Sequence, residues 1–439
     1  MFGTSGIRGP FGTDVTVSLA LDVGRALATD GTQRVVVGRD PRLTGPVLAD
    51  ALAAGVCEGG ADVVDLGIAA TPTIARSVAW EDADAGVAIT ASHNPPQDNG
   101  IKLWSLSGMA FDESRRGRIA EFVRAGTFEP ADWDEVGERR AWTEAQNHHV
   151  DAVSRAVDVD RPLHVVVDIG NGAGGVTVDV LKKLGCRVET LHATPDGRFP
   201  SRPSEPTADN CRTLRSTVAS TNADLGIAHD GDADRTMAVD DEGQFVPGDV
   251  LLALFARDAA EAGSRVAVPV NTSLAVDDAL ADLDASVVRT RVGDVFVAEG
   301  IRESEAVFGG EPSGAWIWPD ETLCPDGTLA AAKLAEIVSR RDPLSALVSE
   351  IETYPLRRES HRIEDKDGVL DTIREEATTT FDRIEDRDGI RIDIDDGWLL
   401  IRASGTEPLV RLTAEAREED RADELLEIGR DLLEEALEG

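Results

Sequence analysis

The sequence predicts an α/β protein: three similar mixed α/β domains followed by a C-terminal α+β domain. Three observations predict it. A chain of 439 residues is too long for one hydrophobic core and suggests roughly three or four domains. A strand–loop–helix–strand unit recurs three times at the length of a βαβ crossover. The remainder changes character, reading as a hairpin, one more strand and an amphipathic helix.

The first unit opens with Arg34-Val35-Val36-Val37-Gly38, runs through a helical stretch over about 47–58, and returns as Asp62-Val63-Val64-Asp65-Leu66. The second runs from His164-Val165-Val166-Val167-Asp168 through 176–184 to Cys186-Arg187-Val188-Glu189. The third runs from Arg265-Val266-Ala267-Val268 through 275–283 to Ser286-Val287-Val288-Arg289. In the last part Ile390-Arg391-Ile392-Asp393-Ile394 alternates, Asp395-Asp396-Gly397 turns, and Trp398-Leu399-Leu400-Ile401 returns. Val410-Arg411-Leu412-Thr413-Ala414 adds a strand, and Leu425, Leu426, Ile428, Leu432 and Leu433 form one face of a closing helix. The expected domains are 1–150, 151–249, 250–358 and 359–439.

With 41% hydrophobic and 29% charged residues, the chain is globular rather than disordered. No apolar run reaches the length of a membrane span, and Met1-Phe2-Gly3-Thr4 lacks the basic-then-apolar pattern of a signal peptide. Cys57, Cys186, Cys211 and Cys324 lie far apart without a CxxC, so a reducing cytoplasm is the expected setting. The 82 acidic residues against 44 basic ones give a net charge of −38, spread along the whole chain. Lysine occurs only at positions 102, 182, 183, 333 and 366. This pattern suits a very salty cytoplasm that screens self-repulsion, and it disfavours nucleic acid as a partner.

Four clusters carry chemistry. Thr90-Ala91-Ser92-His93-Asn94-Pro95 follows the apolar run Ala85-Gly86-Val87-Ala88-Ile89, which puts the Ser92 hydroxyl at a strand-to-loop junction where catalytic groups gather. The plainer reading of that hexapeptide is a turn serine beside a structural histidine. Asp230-Gly231-Asp232-Ala233-Asp234-Arg235 follows the apolar Leu225-Gly226-Ile227-Ala228, so three alternate carboxylates can converge on a hard cation such as Mg²⁺ or Ca²⁺. A calcium EF-hand fails here, with Arg235 where glycine must turn and Asp241 where a bidentate glutamate belongs. A solvated acidic loop is the competing reading. Arg402-Ala403-Ser404-Gly405-Thr406, with Arg411 in the next strand, offers cations and hydroxyls to a phosphate, the plainer reading being arginines that balance nearby acids. Gly309-Gly310-Glu311-Pro312-Ser313-Gly314 places Glu311 and Ser313 as sugar-hydroxyl partners. Gly3-Thr4-Ser5-Gly6-Ile7-Arg8-Gly9 is a further cluster able to face an anion. Gly170-Asn171-Gly172-Ala173-Gly174-Gly175, with Glu189 beyond it, meets the dinucleotide fingerprint in form, but a nicotinamide enzyme would leave every other cluster unexplained.

Taken together, these motifs resemble the α-D-phosphohexomutase superfamily, in family order from Gly3 to Arg411. The resemblance implies four domains meeting around a central cleft. It implies that Ser92 is a phosphoserine and that Ser92, Asp230, Asp232 and Asp234 hold Mg²⁺. Glu311 and Ser313 match the sugar-binding loop, while Arg402, Ser404, Gly405, Thr406 and Arg411 match the distal phosphate site. Arg8, His93, Lys102 and Arg235 fall on active-site positions, with Arg8 and Lys102 suited to proton handling and charge stabilisation. The implied partner is a small-molecule hexose phosphate, moved between its 6- and 1-phosphates through a hexose 1,6-bisphosphate. Two departures bear on the sugar. Gly314 is followed by Ala315-Trp316 where the family often has histidine, and Asp294 in Val292-Gly293-Asp294 replaces a histidine of some bacterial phosphomannomutases. Asp98-Asn99-Gly100-Ile101-Lys102 looks more like phosphoglucosamine mutases, with phosphomannomutase/phosphoglucomutase as the close alternative. A nicotinamide oxidoreductase and a noncatalytic sugar-phosphate binder are the remote ones.

Overall fold

The computed structural model describes residues 3, 6–403 and 408–438. The chain divides into two compact units, Met1–Leu251 with Ser313–Val348, and Leu252–Pro312 with Ser349–Gly439.

In the first unit a six-stranded sheet has the order Ile7–Pro10, Asp98–Trp104, Ala85–Ile89, Arg34–Arg39, Asp62–Ile68, Arg139–Ala141. Its centre is parallel, Arg34–Arg39 pairing with both Ala85–Ile89 and Asp62–Ile68. Such strands are covered on both faces, which is why they read as continuous apolar runs. Val35 and Val37 enter one core with Leu48, Leu52 and Val56 of the helix Gly45–Glu58. Val36 points the other way and joins Ile74, Ala75 and Val78 of the helix Thr71–Trp80. Asp98–Trp104 carries little strand signal, because Asp98, Asn99 and Gly100 are poor strand formers. It is nonetheless paired antiparallel on both sides, with Ala85–Ile89 and with Ile7–Pro10.

A second sheet in this unit has the order Thr236–Val239, Leu225–His229, His164–Asp168, Arg187–Leu191. Leu225–His229 and Thr236–Val239 are antiparallel neighbours, so residues 230–235 form the loop between them. The helix Gly327–Arg340 is buried along most of its length and is capped by Asp326, whose Oδ1 accepts from the Thr328 and Leu329 amides.

The glycine-rich turn at 170–175 proves to be a packing device. A Cβ on Gly172 would lie 2.7 Å from the Gly231 carbonyl oxygen, and one on Gly174 would lie 2.9 Å from the His229 ring. These glycines let the turn close against the 229–231 backbone, and that packing accounts for a pattern that meets the dinucleotide fingerprint only in form.

In the second unit Ser286–Thr290, Arg265–Pro269 and Phe308–Glu311 run parallel, with Arg265–Pro269 between the other two. An antiparallel sheet follows, in the order Leu356–Arg362, Leu409–Ala416, Gly397–Ala403, Ile390–Ile394, Ile384–Glu385. The helices Lys366–Thr380 and Glu419–Glu438 share its core, to which the latter contributes Leu425, Leu426, Leu432 and Leu433 fully and Ile428 in part. Three mixed α/β portions and a C-terminal α+β portion are thus the observed architecture. No helix among the described residues is long and apolar enough to cross a membrane.

Candidate active site

Ser92 leaves the strand Ala85–Ile89 and enters a left-handed backbone conformation, with φ 52°. A non-glycine residue there is strained by about 1–3 kcal/mol and persists only where its surroundings over-determine it. They do so here. The Ser92 amide donates to Thr90 Oγ1 at 2.9 Å, and Thr90 Oγ1 donates to Asp40 Oδ2 at 2.6 Å. Arg42, fully buried, pairs with Asp40 and donates to the carbonyls of Ser92, Asn94, Pro95 and Asp98 at 2.6–2.9 Å. Ser204 Oγ donates to the same Ser92 carbonyl at 2.8 Å. The backbone is thereby fixed on one side, and the hydroxyl is aimed at Asp230 Oδ2, 2.5 Å away.

Asp230, Asp232 and Asp234 are buried, and one carboxylate oxygen from each lies within 4.8 Å of the others. Lys102, buried on the strand Asp98–Trp104, donates to Asp232 Oδ2 at 2.9 Å and to Asp234 Oδ2 at 2.5 Å. Thr71 Oγ1 donates to Asp232 Oδ2 at 2.6 Å. Burial alone would raise the Asp232 carboxyl, but the charge of Lys102 and the bonds from Thr71 and Lys102 outweigh it and hold that group below its usual range. Asp230 goes the other way, pushed well up by burial and then by the negative charges of Asp234 and Asp232. Two buried oxygens, Asp232 Oδ1 and Asp234 Oδ1, have no hydrogen-bond partner. Three converging carboxylates with orphaned oxygens and one ammonium fit a hard divalent cation held by Asp230, Asp232 and Asp234.

His229 holds the acidic loop shut. Its Nδ1 lies 2.9 Å from the Arg235 carbonyl oxygen, which only accepts, so Nδ1 carries the hydrogen and Nε2 accepts from Thr177 Oγ1 at 2.8 Å. Burial pushes this imidazole down to about 4 and keeps it neutral. His93 stands 3.4 Å from Ser92 Oγ through Nδ1. Burial, and then the positive charges of Arg235, Arg8 and Lys102, push His93 down to about 3. Arg8 lies on the strand Ile7–Pro10 opposite Gly100, with a buried Nε that has no partner. Ser92, His93, Lys102, Arg8, Arg235 and the three aspartates therefore share one neighbourhood in the first unit, and Ser313 of that unit is exposed.

In the second unit Glu311 is buried at the end of Phe308–Glu311, where its Oε1 accepts from the Gly293 amide at 2.7 Å. Arg402 and Arg411 are directly opposed across the pair Gly397–Ala403 and Leu409–Ala416. Like charges so placed destabilise a sheet unless an anion lies between them. Ser404, Gly405 and Thr406 lie outside the described residues.

Family comparison yields four consecutive segments. The chain matches the models for phosphoglucomutase/phosphomannomutase alpha/beta/alpha domain I over residues 1–130, domain II over 146–243 and domain III over 247–354. The C-terminal domain of the same family matches residues 359–431. The chain belongs to the phosphoglucomutase/phosphomannomutase family. It is an enzyme, an isomerase working by phosphoryl transfer on a small-molecule substrate, and Mg²⁺ is the metal its aspartate cluster serves. A Methanococcoides burtonii protein named "Probable phosphoglucosamine mutase" is 46% identical over 441 residues, covering 100% of this chain and 99% of its own. A phosphoglucomutase/phosphomannomutase family protein from Burkholderia thailandensis superposes with a TM-score of 0.90 at 30% identity, covering 100% of this chain and 98% of its own. The Aspergillus fumigatus N-acetylphosphoglucosamine mutase, solved with GlcNAc-6P and magnesium, shares the fold with a TM-score of 0.62 at 15% identity over 99% of this chain and 95% of its own.

Sequence reasoning missed Asp40, Arg42, Thr71, Ser204 and His229. The charged Arg39-Asp40-Pro41-Arg42 directly after an apolar strand was a signal that could have found two of them. For Thr71 and Ser204 no local signal exists.

Proposed function

We propose that this enzyme interconverts glucosamine 6-phosphate and glucosamine 1-phosphate through a phosphoserine at Ser92 and a glucosamine 1,6-bisphosphate. The observation that carries the mechanism is the Ser92 hydroxyl, buried and held 2.5 Å from Asp230 Oδ2 beside two orphaned carboxylate oxygens. The choice of glucosamine is supported by full-length similarity to a protein of that name.

A serine hydroxyl is a weak nucleophile, whereas phosphoserine is a phosphoryl donor. The free sugar hydroxyl forms a bond to phosphorus as the bond from phosphorus to Ser92 Oγ breaks. The proton lost by the sugar hydroxyl balances the one Ser92 Oγ regains. The bisphosphate then turns around, and its other phosphate returns to Ser92. Asp230, Asp232 and Asp234, with Ser92, would hold Mg²⁺, whose charge would offset that of the moving group. Arg8, Lys102 and Arg235 supply positive charge beside His93, which stays neutral and is able to accept a hydrogen bond. Arg402 and Arg411, with Ser404, Gly405 and Thr406, hold the phosphate that is not being transferred. Glu311 and Ser313 hold sugar hydroxyls.

Each working domain, 1–150, 151–249, 250–358 and 359–439, contributes one of these motifs. A reducing cytoplasm is the inferred setting, supported by four free cysteines. The net charge of −38 argues against nucleic acid as a partner.

The test compares rates on glucosamine, mannose and glucose phosphates with Mg²⁺, in the parent and in Ser92→Ala. The parent should prefer glucosamine phosphate and carry phosphate on Ser92 by intact mass. Ser92→Ala should lose about a thousandfold or more in rate. Full activity in Ser92→Ala sinks the mechanism, and a preference for mannose or glucose phosphate sinks the sugar assignment.

A further inference from the structure

We infer that Asp388 is a positioning residue which aims the phosphate-binding Arg402 and ties it to the sugar-recognition segment; the inference rests on the roles proposed above for Arg402 and Glu311. Asp388 lies in the turn before the strand Ile390–Ile394. Its two carboxylate oxygens have different partners. Oδ1 accepts from Arg402 Nε at 3.0 Å, and Oδ2 accepts from the Val292 amide at 2.9 Å. The next amide, Gly293, donates to Glu311 Oε1 at 2.7 Å. One connected path thus runs from Arg402 through Asp388 and the 292–293 backbone to Glu311.

Asp388 itself is held in place. Gly389 has φ +84°, and a Cβ there would lie 2.5 Å from the Ile401 carbonyl oxygen, so the turn sits flush against the strand that carries Arg402. Arg402 faces Arg411 directly across the strand pair, and without a carboxylate on its Nε the repulsion would turn it aside. Asp388 engages Nε and leaves the two terminal nitrogens of Arg402 for a bidentate contact with phosphate. A phosphate contact made in the ground state and the transition state alike appears in KM more than in kcat. Asp388 therefore acts on binding, through Arg402, and touches neither the sugar nor the phosphoryl group in transfer.

The experiment is a double-mutant cycle of Asp388→Asn and Arg402→Ala, assayed on glucosamine 6-phosphate with Mg²⁺, with unfolding midpoints recorded for every variant. Asparagine keeps the shape but replaces one acceptor by a donor, so it satisfies only one of the two partners. Asp388→Asn should raise KM by about tenfold or more, as expected for a lost charge-assisted hydrogen bond, with a smaller change in kcat. In the Arg402→Ala background the same change should add nothing, because the residue it acts through is gone. Asp388→Ser repeats the cycle should asparagine disturb folding. Losses that multiply in the double variant, or an unchanged KM in Asp388→Asn beside a raised KM in Arg402→Ala, overturn the inference alone. An unchanged KM in Arg402→Ala overturns the phosphate-clamp reading and the inference with it.

Discussion

Arg42 illustrates how much of this site is decided by residues that touch no substrate. It is fully buried, paired with Asp40, and donates to four carbonyls of the 92–98 loop. Lysine has neither the planar fork nor the number of donors to replace it. Arg42→Lys keeps the charge but should cost about 1–3 kcal/mol for each buried carbonyl left without a donor, and should lower phosphate incorporation at Ser92. Urea unfolding checks the first, and a loss under about 1 kcal/mol, typical of an exposed pair, would contradict it. The metal side is tested separately. Mg²⁺ at a hundredfold its Kd should stabilise the protein by about 2.7 kcal/mol, seen as a raised midpoint. Asp234→Asn should abolish that rise while leaving the fold intact, and a retained rise would place the metal elsewhere. Ser92 and the aspartates were legible in the sequence because each cluster is local and follows an apolar strand. Thr71 was not, since its partner Asp232 is 161 residues away and only the packed chain makes them neighbours.

Among the elements, the helix Gly327–Arg340 depends most on a single side chain. Asp326 caps it and also accepts from Arg76 Nε at 2.8 Å, with His149 Nε2 at 3.0 Å. Burial would raise this carboxyl, yet the charges of His149 and Arg76 and the cap amides outweigh it and hold it well below the usual range. A depressed folded value means stability that is full above the unfolded carboxylate value of about 4 and is lost as pH falls toward the folded value. Urea midpoints of the parent should therefore fall steeply below about pH 4, while Asp326→Asn starts lower and falls less. Parallel curves for the two proteins would refute the assignment. The strands were easiest to read where both faces are covered, as in Arg34–Arg39 and His164–Asp168. Leu356–Arg362 escaped notice because its seven residues are mostly charged or polar and partly exposed, and only pairing with Leu409–Ala416 makes it a strand.

Over the whole molecule the charge of −38 sets the conditions under which these contacts operate. Acidic side chains repel one another at low ionic strength, where the screening length is about 30 Å at 0.01 M against about 3 Å at 1 M salt. Unfolding midpoints should therefore rise from dilute buffer into molar KCl, and a flat or falling profile would show that self-repulsion is not what limits stability. The burial of Lys102 between Asp232 and Asp234 has a practical corollary at this scale. Only five lysines exist, and the other four lie at positions 182, 183, 333 and 366. An amine-reactive dye or immobilising resin needs a reachable amine, and Lys102 is buried in the folded protein. Acylation of the native enzyme should thus decorate its outer lysines and leave turnover untouched, giving a labelled, tethered catalyst without redesign of the site.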